Sequence, residues 1–255
     1  MSRAPLSRTT TIGLGAGGLL VFILLWETLA RSGLLPAFVA PAPSSLPGAF
    51  WREYTGGFWL KAILGSASHY FAGLAAGSAL GITFGVLAGL SRRYEAAQQW
   101  LVRVIRPIPG LAWIPFAIIW FGISETAAIF IIGVSVFWIT YFSAFAAVRG
   151  VDPDLLEVAE AFGHRSAFAK VVKIILPAAA PGILGGVRIA LGQGWMAVVA
   201  AEIFGVPGMG ARMQDASGLL QTPVVIVYML TIAALYSLTD MVFGQVSKVI
   251  LQWQR

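Results

Sequence analysis

The sequence has no cysteine among its 255 residues, and only 11% of them carry charge. Without cysteine there is no disulfide, thiolate nucleophile, zinc–sulfur site or iron–sulfur cluster. The two histidines, His69 and His164, lie far apart in the chain and make no metal site by themselves. A soluble domain is about 25% charged and about 45–50% apolar. Here 58% of the residues are hydrophobic and the mean hydropathy is +0.83. That balance excludes a soluble enzyme and indicates a membrane protein. The net charge of +6 is too small and too dispersed for a nucleic-acid-binding surface, so no such partner is expected. A phosphate-cradling loop is missing too. Lys61, Lys170, Lys173 and Lys248 follow Leu, Ala, Val and Ser, so no glycine–lysine step exists from which to build a Walker A loop. The chain is expected to hydrolyse no ATP itself, to be no enzyme, and to carry neither metal nor cofactor.

What is present is a series of long apolar runs with few or no charges. A hydrocarbon core of about 30 Å takes roughly 20 apolar residues of helix. The runs cover residues 9–26 (continuing to 30), 62–91, 107–124, 126–148, about 179–204 and about 223–245. They predict an all-α polytopic protein with about six spans. Arg3 and Arg8 before the first run also describe a signal peptide. The run is longer than a usual signal core, however, and no clean small-x-small site follows it, so an uncleaved span is expected. Six spans place both termini on one side. That side then receives most of the basic residues, leaving only Arg31, Arg52, Lys61 and Arg212 opposite, so the termini are expected to be cytoplasmic.

Between the first two runs, Pro36, Pro41, Pro43 and Pro47 predict an external loop with room for a short surface helix. The second run carries Gly73, Gly77, Gly81, Gly85 and Gly89 at i+4 spacing, a strip that lets another helix approach closely, either within this chain or across a subunit interface. Gly182, Gly186, Ala190 and Gly194 repeat the device. Pro107, Pro109 and Pro115 kink or break the third span, making it either a pathway wall or a bent packing helix.

The longest hydrophilic stretch, 150–177, is patterned rather than merely connecting. Asp152 or Asp154 can cap a helix with Pro153 just inside its start. Leu155, Leu156, Ala159 and Phe162 recur at helical spacing, and Gly163 suits a left-handed stop. A second short helix is expected to place Phe168, Val171, Val172 and Ile175 on one side and Arg165, Lys170 and Lys173 on the other. Leu176-Pro177 is expected to end it. Such a pair either docks into a partner's groove or lies on lipid.

This segment resembles the EAA loop of bacterial ABC-importer permeases, whose pattern is Glu-Ala-Ala, three residues, Gly, nine residues, Ile, one residue, Leu-Pro. Glu157-Val158-Ala159, Gly163 and Leu176-Pro177 carry the likeness. Val158 replaces the first alanine, and Pro177 falls one residue late. Further matches extend over roughly residues 60–250. Arg106-Pro107-Ile108-Pro109, Trp113-Ile114-Pro115, Trp120-Phe121-Gly122-Ile123, Gly186-Val187-Arg188 and Gly208-Met209-Gly210 resemble the nitrate/sulfonate/taurine branch of these permeases.

The resemblance implies a type I ABC importer permease architecture. It would be a single permease domain over 1–255 with 60–250 as its core and a cytoplasmic helix-turn-helix coupling loop at 150–177. It implies ATPase docking through Glu157, Val158, Ala159, Gly163, Leu176 and Pro177. The partners implied are a second permease copy, two ABC ATPase subunits and a periplasmic or lipid-anchored solute-binding protein, in the lipid bilayer of a bacterial inner membrane. The substrate implied is nitrate, a sulfonate, taurine or a similar small solute, although the branch also carries pyrimidine-like and vitamin-like molecules. A self-contained channel or ion-coupled transporter is the alternative. It would be expected to show an internal repeat and paired charges at the midplane.

Ionisable residues inside apolar spans are costly and point to function. Glu202 either lines a vestibule or makes a structural ion pair. Arg188 lies near the inner boundary, where it can snorkel. With Gln193 and Trp195 these residues are the candidate translocation pathway.

Overall fold

The computed structural model describes residues 7–163 and 166–254 of the chain. Arg3, His164, Arg165 and Arg255 lie outside the described residues. Among the described residues the regular structure is helical throughout, and the chain forms two compact units.

The first unit contains the chain up to Leu60 together with Met213–Leu230. Helix α1, Arg8–Arg31, starts on the Ser7 side chain, which accepts the Thr10 amide proton at 3.1 Å. Its leucines and Phe22 are exposed, as a lipid-facing span requires. Near its end Glu27 accepts from the Ser44 amide at 3.0 Å and the Ser44 hydroxyl at 2.8 Å, tying down the 3₁₀ turn Pro43–Ser45. Helix α2, Leu46–Thr55, is the expected surface helix, with Pro47 in its first turn where no amide proton is needed. On it the buried Glu53 accepts the Tyr228 hydroxyl proton at 2.8 Å.

The second unit is built around α6, Glu125–Arg149, whose Ile131, Ile132, Val136 and Thr140 are buried. Helix α3, Phe58–Leu90, lies against it along the glycine strip. A Cβ at Gly77 would stand 2.3 Å from the Gly133 carbonyl oxygen, and one at Gly85 2.3 Å from that of Tyr141. The strip is filled from within the chain. Helix α9, Leu176–Glu202, reaches α6 in the same way, with Gly182 against Ala147 and Gly186 against Ser143.

The expected third span is broken, as its prolines predict: Pro107 and Pro109 lack amide protons and lie between two helical segments. Helix α4, Arg92–Ile105, and the segment Gly110–Phe121 form a pair bent by 85°. The latter is a 3₁₀ turn followed by α5, Ile114–Phe121, whose eight residues give only about 12 Å of helix. Among the described residues five helices are long and apolar enough to cross a bilayer, or six if the bent pair counts as one. Beyond α6 come α7, Pro153–Ala161, and α8, Ala167–Lys170; α9 is followed by α10, Met209–Gly218, and α11, Thr222–Ile250.

Candidate functional site

The segment between α6 and α9 follows the local rules of its sequence. Asp152 caps α7 by accepting the Asp154 amide proton at 3.0 Å, with Pro153 at the first helical position. Gly163 takes φ +88°, the left-handed conformation that a side chain resists, and its amide bonds the Glu160 carbonyl at 3.0 Å. Ser166 caps α8 through the Ala169 amide at 3.1 Å. Lys170 on α8 pairs with Glu160 on α7, holding the two short helices together.

Packing then decides which face is free. Ala159 is the buried residue of α7, while Glu157 and Val158 are exposed. Phe162 is 82% exposed and Phe168 78%, one on each side of the turn, with Leu155 also exposed. Two uncovered phenylalanines on a capped, pinned turn are a protruding apolar knob.

The expected end at Leu176-Pro177 is corrected. After α8 the chain makes a π turn, Val171–Ile175, in which the Leu176 amide bonds the Val171 carbonyl, and the helix runs on into α9. A π turn holds one residue more than an α turn. That extra residue matches the one-residue lateness of Pro177, and the widened turn gives room to a proline that cannot donate to the ladder. Leu176 and Pro177 are half-buried inside a continuous helix.

The four candidate pathway residues are separated. Trp195 is buried, stacked on Tyr70 with ring centroids 4.2 Å apart, its indole N–H donating to the Thr239 hydroxyl at 3.2 Å. Gln193 is half-buried. Glu202 is completely buried and is the centre of a latch. Its Oε1 accepts from His69 Nδ1 at 3.0 Å, and its Oε2 accepts from the Ser66 hydroxyl at 2.8 Å and the Gly210 amide at 2.9 Å. Ser66 in turn accepts the Met209 amide proton at 2.8 Å. One carboxylate thus joins α3, the end of α9 and the start of α10.

Arg188 opens onto a cavity. It bonds Asp240 of α11 through two parallel 2.7 Å hydrogen bonds, and the cavity beside the pair, about 680 Å³, also reaches Gln245, Ser247 and Lys248. The sequence marked Arg188 as an ionisable group in an apolar helix but gave no sign of its pairing with Asp240. Ser66 carried no signal at all.

The sequence profile of the family described as binding-protein-dependent transport system inner membrane component matches residues 81–252. The putative aliphatic sulfonates transport permease protein SsuC of Bacillus subtilis is 32% identical, over 92% of this chain and 85% of its own length. The taurine transport system permease protein TauC of Escherichia coli is 32% identical over 98% of this chain and 92% of its own. Among solved structures, the inward-facing MetNI methionine ABC transporter superposes with a TM-score of 0.65 at 20% identity, over 76% of this chain and 98% of the matched one.

Proposed function

The chain belongs to the family of inner membrane components of binding-protein-dependent transport systems, and from that premise we propose how it works as the permease subunit of an ABC importer. Two copies of the chain form the translocation path. Two ATPase subunits bind on the cytoplasmic side, and an external binding protein delivers the solute. Both termini lie in the cytoplasm, in keeping with the basic residues gathered on that side. The solute is a small oxyanion of the sulfonate class, the chemistry named for the two relatives above.

The observation that carries this reading is the knob of Phe162 and Phe168 around Gly163. Such a knob suits the helix-in-groove mode of recognition by a folded partner. Glu157, Val158, Ala159 and Gly163 shape it, and Leu176 and Pro177 join it to the membrane helix. Because the π turn continues without a break into α9, a movement of the docked ATPase is transmitted along one helix into the membrane part. Rocking of the two copies between inward- and outward-facing packings then moves the solute.

The test is purification of the chain from its native membrane in mild detergent. A stoichiometric ATPase subunit, lost on Gly163→Asp while the chain still inserts, is the expected result. A chain that purifies alone and moves solute in liposomes without ATP would instead be a channel or an ion-coupled transporter.

A further inference from the structure

Arg188 and Asp240 sit inside two apolar helices. Asp240 is ten residues, or about 15 Å, from the end of α11, and Arg188 is twelve residues, about 18 Å, from the start of α9. Their side chains are nevertheless 57% and 26% exposed. Charge at that depth does not face hydrocarbon; it faces the bundle interior or water. The cavity they border is within the size range of small-molecule sites.

The donors around it are unevenly used. Asp240 occupies the Nε and one Nη of Arg188, and the remaining guanidinium protons meet no acceptor among the described residues. Lys248 stands two turns beyond Asp240 on the same side of α11 and has no acidic partner among the described residues. The Ser247 hydroxyl is buried without a hydrogen-bond partner among them. With one carboxylate against two cations, the cavity carries a net positive charge. The groove between α3, α5 and α6 is of the opposite kind. Leu80, Trp113, Trp120, Phe130 and Trp138 line it, and it offers an oxyanion no cation.

We propose that the cavity between α9 and α11 is a water-filled stretch of the translocation path that binds an oxyanion of the sulfonate class. The free edge of Arg188 and the ammonium of Lys248 hold the anion, and Asp240 positions the guanidinium. The proposal rests on the permease reading and gives the path its face on this chain. A lipid headgroup offers the same phosphate-like chemistry, and the two occupants are told apart by what protects the cavity from labelling.

The absence of native cysteine makes a direct test available. At Gly185 and Gly244, both on the cavity, an added Cβ meets no atom of the described residues within 4 Å, so Gly185→Cys and Gly244→Cys place a thiol there without displacing a described neighbour. Leu20→Cys on the exposed face of α1 is the lipid-facing control. Each variant, in the assembled transporter in liposomes, is treated with a sulfonate-bearing methanethiosulfonate and with its trimethylammonium counterpart. The expected result is reaction at both cavity positions and not at the control. The sulfonate reagent should be favoured about tenfold over its ratio with free cysteine. Lys248→Gln, an exposed substitution, should reduce that preference several-fold, and millimolar methanesulfonate should slow labelling.

Asp240→Asn should leave the thiols reactive yet weaken the methanesulfonate protection, because the guanidinium is no longer held. No reaction at the cavity positions, or equal rates with the two reagents, would overturn the proposal. So would protection by phosphatidylglycerol vesicles but not by methanesulfonate, since the occupant would then be lipid. Co-purification of the ATPase is read on the same preparations, so a failure here is told apart from a failure of the permease reading.

Discussion

Gly208 stands so close to Glu202 that a Cβ built on it would lie 2.2 Å from the carboxyl carbon. The carboxylate cannot swing aside cheaply, because His69, Ser66 and the Gly210 amide all hold it. A methyl group at position 208 therefore breaks the latch rather than adjusting it. Gly208→Ala is expected to leave buried donors unsatisfied at about 1–3 kcal/mol each. In a chain of this size each kcal/mol corresponds to about 2–4 °C of melting temperature. Thermal unfolding in detergent should show a loss of several degrees, with Glu202→Gln intermediate because it keeps the shape. An unchanged melting temperature for Gly208→Ala would mean that the latch contributes nothing to stability.

The glycine strip gives a second prediction, set by contrast. At Gly81 a Cβ would meet the Thr140 hydroxyl at 2.2 Å and the Phe137 carbonyl at 2.5 Å, whereas at Gly17 of α1 it meets nothing within 4 Å. Overpacking a close contact costs about 1–3 kcal/mol, and more where backbone must move. Gly81→Val should give aggregated or degraded protein, and Gly17→Val protein at the wild-type level. Size-exclusion profiles in detergent decide between them, and equal yields would contradict the close packing of α3 on α6.

These cases show what was legible in the sequence and what was not. The long apolar runs and the glycine periodicity are local signals, and the helices and a close helix approach along α3 follow from them, but not that α6 makes it. The prolines at 107 and 109 announced a break but not its angle, because an angle depends on what α4 and α5 each pack against. Leu176-Pro177 was misleading: a proline there reads as a stop, whereas the helix continues through it just after a π turn. The Glu202 latch was illegible for a different reason. Its partners His69 and Ser66 are more than 130 positions away, and no periodicity links side chains across that distance.

Gly163 gives a prediction on docking. Its φ of +88° penalises any Cβ, although no atom of the described residues stands within 4 Å to clash with one. Gly163→Ala should thus reshape the turn through backbone strain alone, at roughly 1 kcal/mol. The membrane helices lie outside the strained turn. Insertion and melting temperature should be nearly unchanged, while ATPase retained on purification falls. A full complement of ATPase on Gly163→Ala would show that the turn conformation is not what the partner reads.

Phe162 and Phe168 allow the sharpest test of the surface itself. Both are largely exposed, so their truncation removes little packing within the chain, and ordinary surface substitutions change stability by only about 0.5 kcal/mol. At an interface the balance reverses, because a large aromatic filling a partner's pocket is the kind of residue whose loss costs 2 kcal/mol or more. Phe162→Ala and Phe168→Ala should each weaken ATPase binding about tenfold or more while the melting temperature of the isolated chain stays put. If the pair lay on lipid instead, both variants would bind ATPase normally. The loss would then appear in flotation with vesicles, which measures how strongly the loop holds to a bilayer.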